Sequence, residues 1–148
     1  MKPWSFWINP GGGGQGSLAT STTAYEGNAS GKVTISAIPS DRNVQVYQYD
    51  LKLVPNTQYR LSFAAVSNSG HDLWIQLIKS SAPYTNYGLR KTVVGVTTQW
   101  KVYTYEFTTA NFQGPVSDGR LMFFLGDHAQ SGDQYYFDQV SLSPVPTR

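Results

Sequence analysis

Apolar and polar residues alternate along most of the chain, in short runs separated by Gly, Pro, Asn and Asp. Such alternation is typical of β-strands that turn one face toward a core. Runs of this kind cover residues 4–8, 17–24, 32–37, 43–53, 59–66, 72–78, 100–107, 121–125 and 135–142. Because no segment of ten or more residues has helical periodicity with caps, the pattern predicts one all-β domain over residues 1–148. The expected architecture is a two-sheet antiparallel β-sandwich of the jelly-roll type.

The last two runs predict a β-hairpin with a long loop rich in Gly and Asp. Within residues 121–125, alternation turns Phe123 toward the core and Phe124 away from it. In the second run Asp138 lies between apolar residues. Its carboxylate needs a partner, and a cation is one candidate.

Residues 43–53 predict a strand with an irregularity. Val44 in the first half and Leu53 in the second are both core candidates, yet they are out of phase in a regular strand. An extra residue around positions 48–50 would bring the two halves into register on the same face.

Alternation along the predicted strands, or a position in a predicted loop, indicates that a set of aromatic and amide side chains points away from the core: Trp7, Gln45, Tyr47, Trp74, Gln76, Tyr87 and Phe124. A large ring exposed on a strand is costly unless something covers it. Flat rings stack on pyranose faces, and amides offer a donor and an acceptor to sugar hydroxyls. The set therefore favours binding of neutral sugars, while the alternative is that loops cover some of these rings.

The charge content is low, with a net charge of +2 and 14% charged residues, against about 25% in an average soluble domain. Lys and Arg are scattered without a basic cluster, which argues against an electrostatic surface for nucleic acid or membrane. There is no cysteine, and no apolar run is long enough to span a bilayer.

Catalytic motifs are absent from the sequence. His71 and His128 lie in predicted loops without a zinc-ligand spacing, and Glu106 lies in the middle of a predicted strand with no second carboxylate beside it. A glycosidase uses two facing carboxylates. The sequence thus predicts a protein that is not an enzyme, although a small glycanase using Glu106 stays a testable alternative. A second alternative is a structural or adhesion jelly roll that uses the aromatic face for assembly.

Six segments in order, PWSFW, YEGNASGKVTIS, NVQVYQYDLKLVPNTQYRLSFAAVS, TTQWKVYTYEFTT, GRLMFFLG and YYFDQVSL, resemble the carbohydrate-binding modules of the family 4, 9, 16 and 22 group. This resemblance implies a non-catalytic jelly roll appended to a secreted bacterial glycoside hydrolase. It also implies a concave cleft that holds a β-linked polysaccharide, such as a β-glucan, xylan or mannan.

Trp7 and Phe124 match stacking positions of the family, and Gln45 and Gln76 match its strand glutamines. Family members often carry a Trp just before the first of these glutamines, where this chain has Arg42 and Asn43. That departure leaves the identity of the glycan open.

The resemblance also implies a structural calcium ion (Ca2+), with Glu26 and Asp138 at the matching positions. Gln139 replaces the second acid of the family pattern, and the opening Phe-Glu segment is missing. Calcium takes six to eight oxygen ligands, so these losses weaken the expected site.

Met1 and Lys2 directly before Pro3 look like a start cut into a longer polypeptide. The resemblance implies a secreted, extracellular protein natively fused to a catalytic domain, and we expect a monomer. Its expected partner is a polysaccharide or oligosaccharide, with no nucleic acid and no membrane.

Overall fold

The computed structural model describes residues 4–146 and contains ten β-strands. In chain order they are β1 (Ser5–Ile8), β2 (Gln15–Ser21), β3 (Ser30–Ala37), β4 (Val44–Leu53), β5 (Gln58–Ser67), β6 (Leu73–Lys79), β7 (Asn86–Val94), β8 (Lys101–Thr108), β9 (Val116–Phe124) and β10 (Gln134–Pro144). A single 3-10 turn, Pro10–Gly12, follows β1.

The strands form two five-stranded antiparallel sheets. The front sheet has the order β1-β4-β9-β6-β7, and the back sheet has the order β2-β3-β10-β5-β8. Consecutive strands thus cross repeatedly between sheets, which confirms the predicted sandwich of jelly-roll type.

The core lies between the sheets and is built from the inward residues of each alternation. Leu61 and Phe63 of β5 and Leu121 and Phe123 of β9 are almost completely buried. The Phe63 and Phe123 rings meet across the core with centroids 5.0 Å apart. Because these residues are inward, their neighbours on each strand point to the outer faces.

The predicted irregularity in β4 is present. The register against β9 shifts between Gln48 and Leu51, and Asp50 adopts a left-handed backbone with φ 59°. The extra residue lets Val44 and Leu53 both reach the core.

Two predictions about strand boundaries were wrong. Strand β7, Asn86–Val94, lies where the sequence predicted no strand. The predicted run 100–107 begins one residue too early, because Trp100 lies just before β8, with its ring 5.9 Å from Tyr25 and 6.4 Å from Tyr136. Strand β7 departs from simple alternation, since its register shifts twice against β6.

No helix within residues 4–146 is long and apolar enough to cross a membrane.

Candidate functional site

One row of side chains crosses four adjacent strands on the outer side of the front sheet, which we call the front face. Trp7 pairs with Gln45, Gln45 pairs with Phe124, and Phe124 pairs with Trp74. Antiparallel partners project on the same side of a sheet. Residues far apart in sequence therefore form a continuous aromatic and amide row.

A second row runs beside the first. Tyr47 pairs with Met122, and Met122 pairs with Gln76. Six of the seven predicted outward residues thus share the front face. The seventh, Tyr87, does not.

The two ends of the first row differ in accessibility. Trp7, on the edge strand β1, is 44% exposed. Phe124 is partly exposed, whereas Gln45 between them is 7% exposed. Trp7 consequently offers the largest open ring surface of the row.

Trp74 is covered, in contrast to the exposed ring that the sequence predicted. It is 7% exposed, because one side stacks on Phe124 at 4.5 Å with the ring planes 13° apart. The ammonium of Lys91 lies 4.7 Å from the ring centroid. Trp74 therefore supports Phe124 rather than presenting a free stacking surface.

Asp127 fixes this arrangement from the loop after β9. Its Oδ2 accepts hydrogen bonds from Trp74 Nε1 at 2.8 Å and from Lys91 Nζ at 3.3 Å. The Trp74 hydrogen bond, aided by Lys91, lowers the pKa of Asp127 below its ordinary value. The carboxylate is thus held charged beside the aromatic row.

The amides of the front face are held by protein partners. Gln45 Nε2 donates to Asn43 Oδ1 at 2.9 Å, and its Oε1 accepts a hydrogen bond from Arg120 Nη2. Gln76 Nε2 donates to Met122 Sδ at 3.0 Å. Each amide is therefore oriented before any ligand arrives.

Tyr87 points into the core, which corrects its predicted outward position. It is 3% exposed, its ring centroid lies 4.7 Å from that of Phe112, and its hydroxyl donates to Asp118 Oδ1 at 2.9 Å. Burial, together with this hydrogen bond and the nearby carboxylate, raises the pKa of Tyr87 to about 12. The missed start of β7 explains the error.

Two front-face residues were missed by the sequence reasoning. Arg120 has the same strand parity as Met122 and Phe124. Extending the alternation of residues 121–125 backward by one residue would have predicted its outward position. Tyr84 is 56% exposed, and its interaction with Arg120 acts to raise the pKa of that residue. Its position in a loop gave no periodic signal.

Comparison with known families gives a match over residues 1–132 to the model named CBM_4_9, described as a carbohydrate binding domain. That match spans most of the chain. The chain belongs to this family of carbohydrate-binding modules. No curated protein sequence matches the module significantly.

Solved structures share its fold. A structure described as "CBM4 structure and function" superposes with a TM-score of 0.78 at 22% identity, covering 96% of this chain and 86% of the other. The N-terminal cellulose-binding domain of Cellulomonas fimi β-1,4-glucanase C gives 0.73 at 19% identity, covering 98% and 90%. The CBM22-1 xylan-binding domain of Paenibacillus barcinonensis Xyn10C gives 0.63 at 14% identity, covering 98% and 87%.

The residues expected to hold calcium form a different contact in the module. Asp138 Oδ2 accepts hydrogen bonds from the backbone nitrogens of Tyr25 and Glu26, both at 3.0 Å. Within residues 4–146 no cluster of three or more His, Cys, Asp or Glu side chains could hold a metal ion. Calcium binds six to eight oxygen atoms, and in this arrangement Asp138 Oδ2 is already engaged by two N–H donors. The calcium site stays a prediction.

The acid and the histidine considered for catalysis are held by protein partners. Glu106 lies on the back sheet, where its Oε2 pairs with Arg60 at 2.6 Å. Ser69 Oγ and Asp133 Oδ2 both contact Nδ1 of His71, at 2.9 Å and 2.7 Å. A catalytic triad needs Ser and Asp on opposite ring nitrogens. This geometry agrees with the family, which indicates a non-catalytic domain.

Proposed function

We propose that the module binds a β-linked polysaccharide of the β-glucan, xylan or mannan type on the front face, where it targets an attached, secreted glycoside hydrolase to its substrate. The observation that carries this proposal is the row of Trp7, Gln45 and Phe124 across three neighbouring strands. In this row two rings lie on either side of an oriented amide. A glycan chain can stack sugar units on the rings and form a hydrogen bond with the amide between them.

The strand spacing supports an extended ligand. Neighbouring strands lie about 4.8 Å apart, so Trp7 and Phe124, two strands apart, are separated by about two such steps. That separation is on the scale of a disaccharide. A ligand running across the strands would meet both rings in turn.

The named ligands of similar structures agree with this class. One similar structure is called a cellulose-binding domain and another a xylan-binding domain. Both polysaccharides are β-linked. We expect weak to moderate affinity, because sugar hydroxyls exchange water for protein partners with little net gain.

Native affinity electrophoresis tests the proposal. The wild type, Trp7→Ala and Phe124→Ala are run against soluble β-glucan, xylan and glucomannan. The matched control is Tyr25→Ala, which removes a ring that is 41% exposed and contacts Trp100 away from the front face. We expect one polysaccharide to retard the wild type and the control but neither front-face variant.

Other outcomes would contradict the proposal. Equal retardation of all four proteins would move the binding site away from Trp7 and Phe124. No retardation by any glycan, together with concentration-dependent oligomers, would favour the assembly function of the aromatic face.

A further inference from the structure

Arg120 occupies the middle of the front face. On β9 it lies two residues before Met122, and it pairs with Ile78 of β6. Its guanidinium carbon is 3.9 Å from the ring centroid of Tyr47, and its Nη2 donates to Gln45 Oε1. Through Gln45, the cation touches the row that contains Trp7 and Phe124.

The hydrogen-bonding capacity of Arg120 is largely unused. A guanidinium carries five N–H donors. Within residues 4–146 Gln45 Oε1 is the one acceptor it reaches, and Arg120 Nε is buried without any hydrogen-bond partner. Buried donors in native proteins normally have a hydrogen-bond acceptor. The described residues do not supply one for this nitrogen.

Two other cations of the described residues have carboxylate partners. Arg60 pairs with Glu106 and Lys91 pairs with Asp127. Arg120 forms no such ion pair with the part of the chain that the structure describes. Its partial burial lowers its pKa, and Tyr47 and Tyr84, rather than an acid, oppose that effect. A positive charge removed from water without a counter-charge is costly, and an anion on the ligand would offset that cost.

We propose that Arg120 binds the carboxylate of a uronic acid unit in the glycan, so that the front face selects acidic β-linked polysaccharides. This inference rests on the proposed function, because it places the uronic acid beside the sugars stacked on Trp7 and Phe124. A planar guanidinium pairs with a planar carboxylate through two parallel hydrogen bonds. The two terminal nitrogens of Arg120 carry three N–H groups besides the one that Nη2 donates to Gln45, and the Tyr47 ring packs against the guanidinium.

The test compares polysaccharides that differ only in carboxylates. Glucuronoxylan is paired with its carboxyl-reduced form, and β-glucan and glucomannan are each paired with a partly C6-oxidised form. Dissociation constants from affinity electrophoresis are compared for the wild type, Arg120→Gln and Arg120→Lys. Arg60→Gln is the matched control, since it removes the same charge from the back sheet.

We expect the wild type and Arg60→Gln to bind at least one acidic form about tenfold more tightly than its neutral counterpart, the scale of one charged hydrogen-bonded pair. Arg120→Gln should bind both forms equally. Arg120→Lys should retain only part of the preference, because an ammonium cannot form the two parallel hydrogen bonds of a guanidinium. Added NaCl should weaken binding of the acidic form alone. The salt series uses only wild-type protein and is independent of whether the variants fold.

The inference is overturned if wild-type protein binds acidic and neutral forms equally, or if Arg120→Gln keeps the wild-type preference. Binding of neutral glycans that depends on Trp7 and Phe124, without any preference for the acidic form, would leave the proposed function intact and remove this inference alone. Absence of binding to all six polysaccharides would remove both.

Discussion

The contact between Asp127 and Trp74 should contribute measurably to the stability of the front face. Asp127→Ala removes the acceptor for Trp74 Nε1, a buried donor whose residue is 7% exposed. Leaving a buried donor unpaired costs about 1–3 kcal/mol. The Asp127 side chain is 38% exposed, so water partly compensates, and we expect a loss of about 1–2 kcal/mol.

Two further variants separate the components of this loss. Asp127→Asn keeps an acceptor for Trp74 and should lose only about half as much. Lys91→Met keeps the apolar stem over the ring and removes an exposed ion pair, which contributes about 0–1 kcal/mol. Urea unfolding followed by tryptophan fluorescence and circular dichroism measures all three.

The effect of Asp127 should also depend on pH in a defined direction. Its pKa in the folded protein is lowered from the ordinary value of 3.8, so the folded state favours the charged form. The stabilisation is therefore present above pH 3.8 and is lost as the pH falls through the folded pKa. A loss below about 0.5 kcal/mol for Asp127→Ala at pH 7, or one that does not shrink in acid, would refute this reasoning.

Three other predictions concern groups away from the aromatic row. Tyr87→Phe should reduce stability by about 1 kcal/mol through loss of the Asp118 hydrogen bond. Because burial raises the pKa of Tyr87 from 10.0 to about 12, the folded state favours the protonated phenol, and the wild type should lose this part of its stability between those pH values while the variant does not. EDTA should leave the melting temperature unchanged, because Asp138 accepts backbone N–H groups rather than joining an oxygen cage; a drop reversed by calcium would contradict that. Asp138→Ala should lower the melting temperature by several degrees, since two backbone donors lose their acceptor.

Alternation predicts the front face well wherever a strand is regular. Trp7 and Phe124 were placed on the correct side because their strand neighbours Phe6 and Phe123 are strongly apolar and pack in the core. Even the irregular β4 was predictable, since apolar residues on both sides of the bulge required it.

Covering of a ring by another strand was not predictable. Trp74 has the expected parity, but Lys91 covers it from β7, a strand whose shifted register hides its pattern. Tyr87 was misplaced for the same reason. Pairwise contacts across a sheet depend on strand order, which a single alternating pattern does not contain.

The most direct test of a glycan-binding front face is an NMR titration of the labelled module with an oligosaccharide from the polysaccharide that retards it. We predict that amide and indole signals shift on β1, β4 and β9, with Trp7, Gln45 and Phe124 among the largest changes. Shifts confined to the back sheet around Trp100 and Tyr136, with the front face unchanged, would contradict the account.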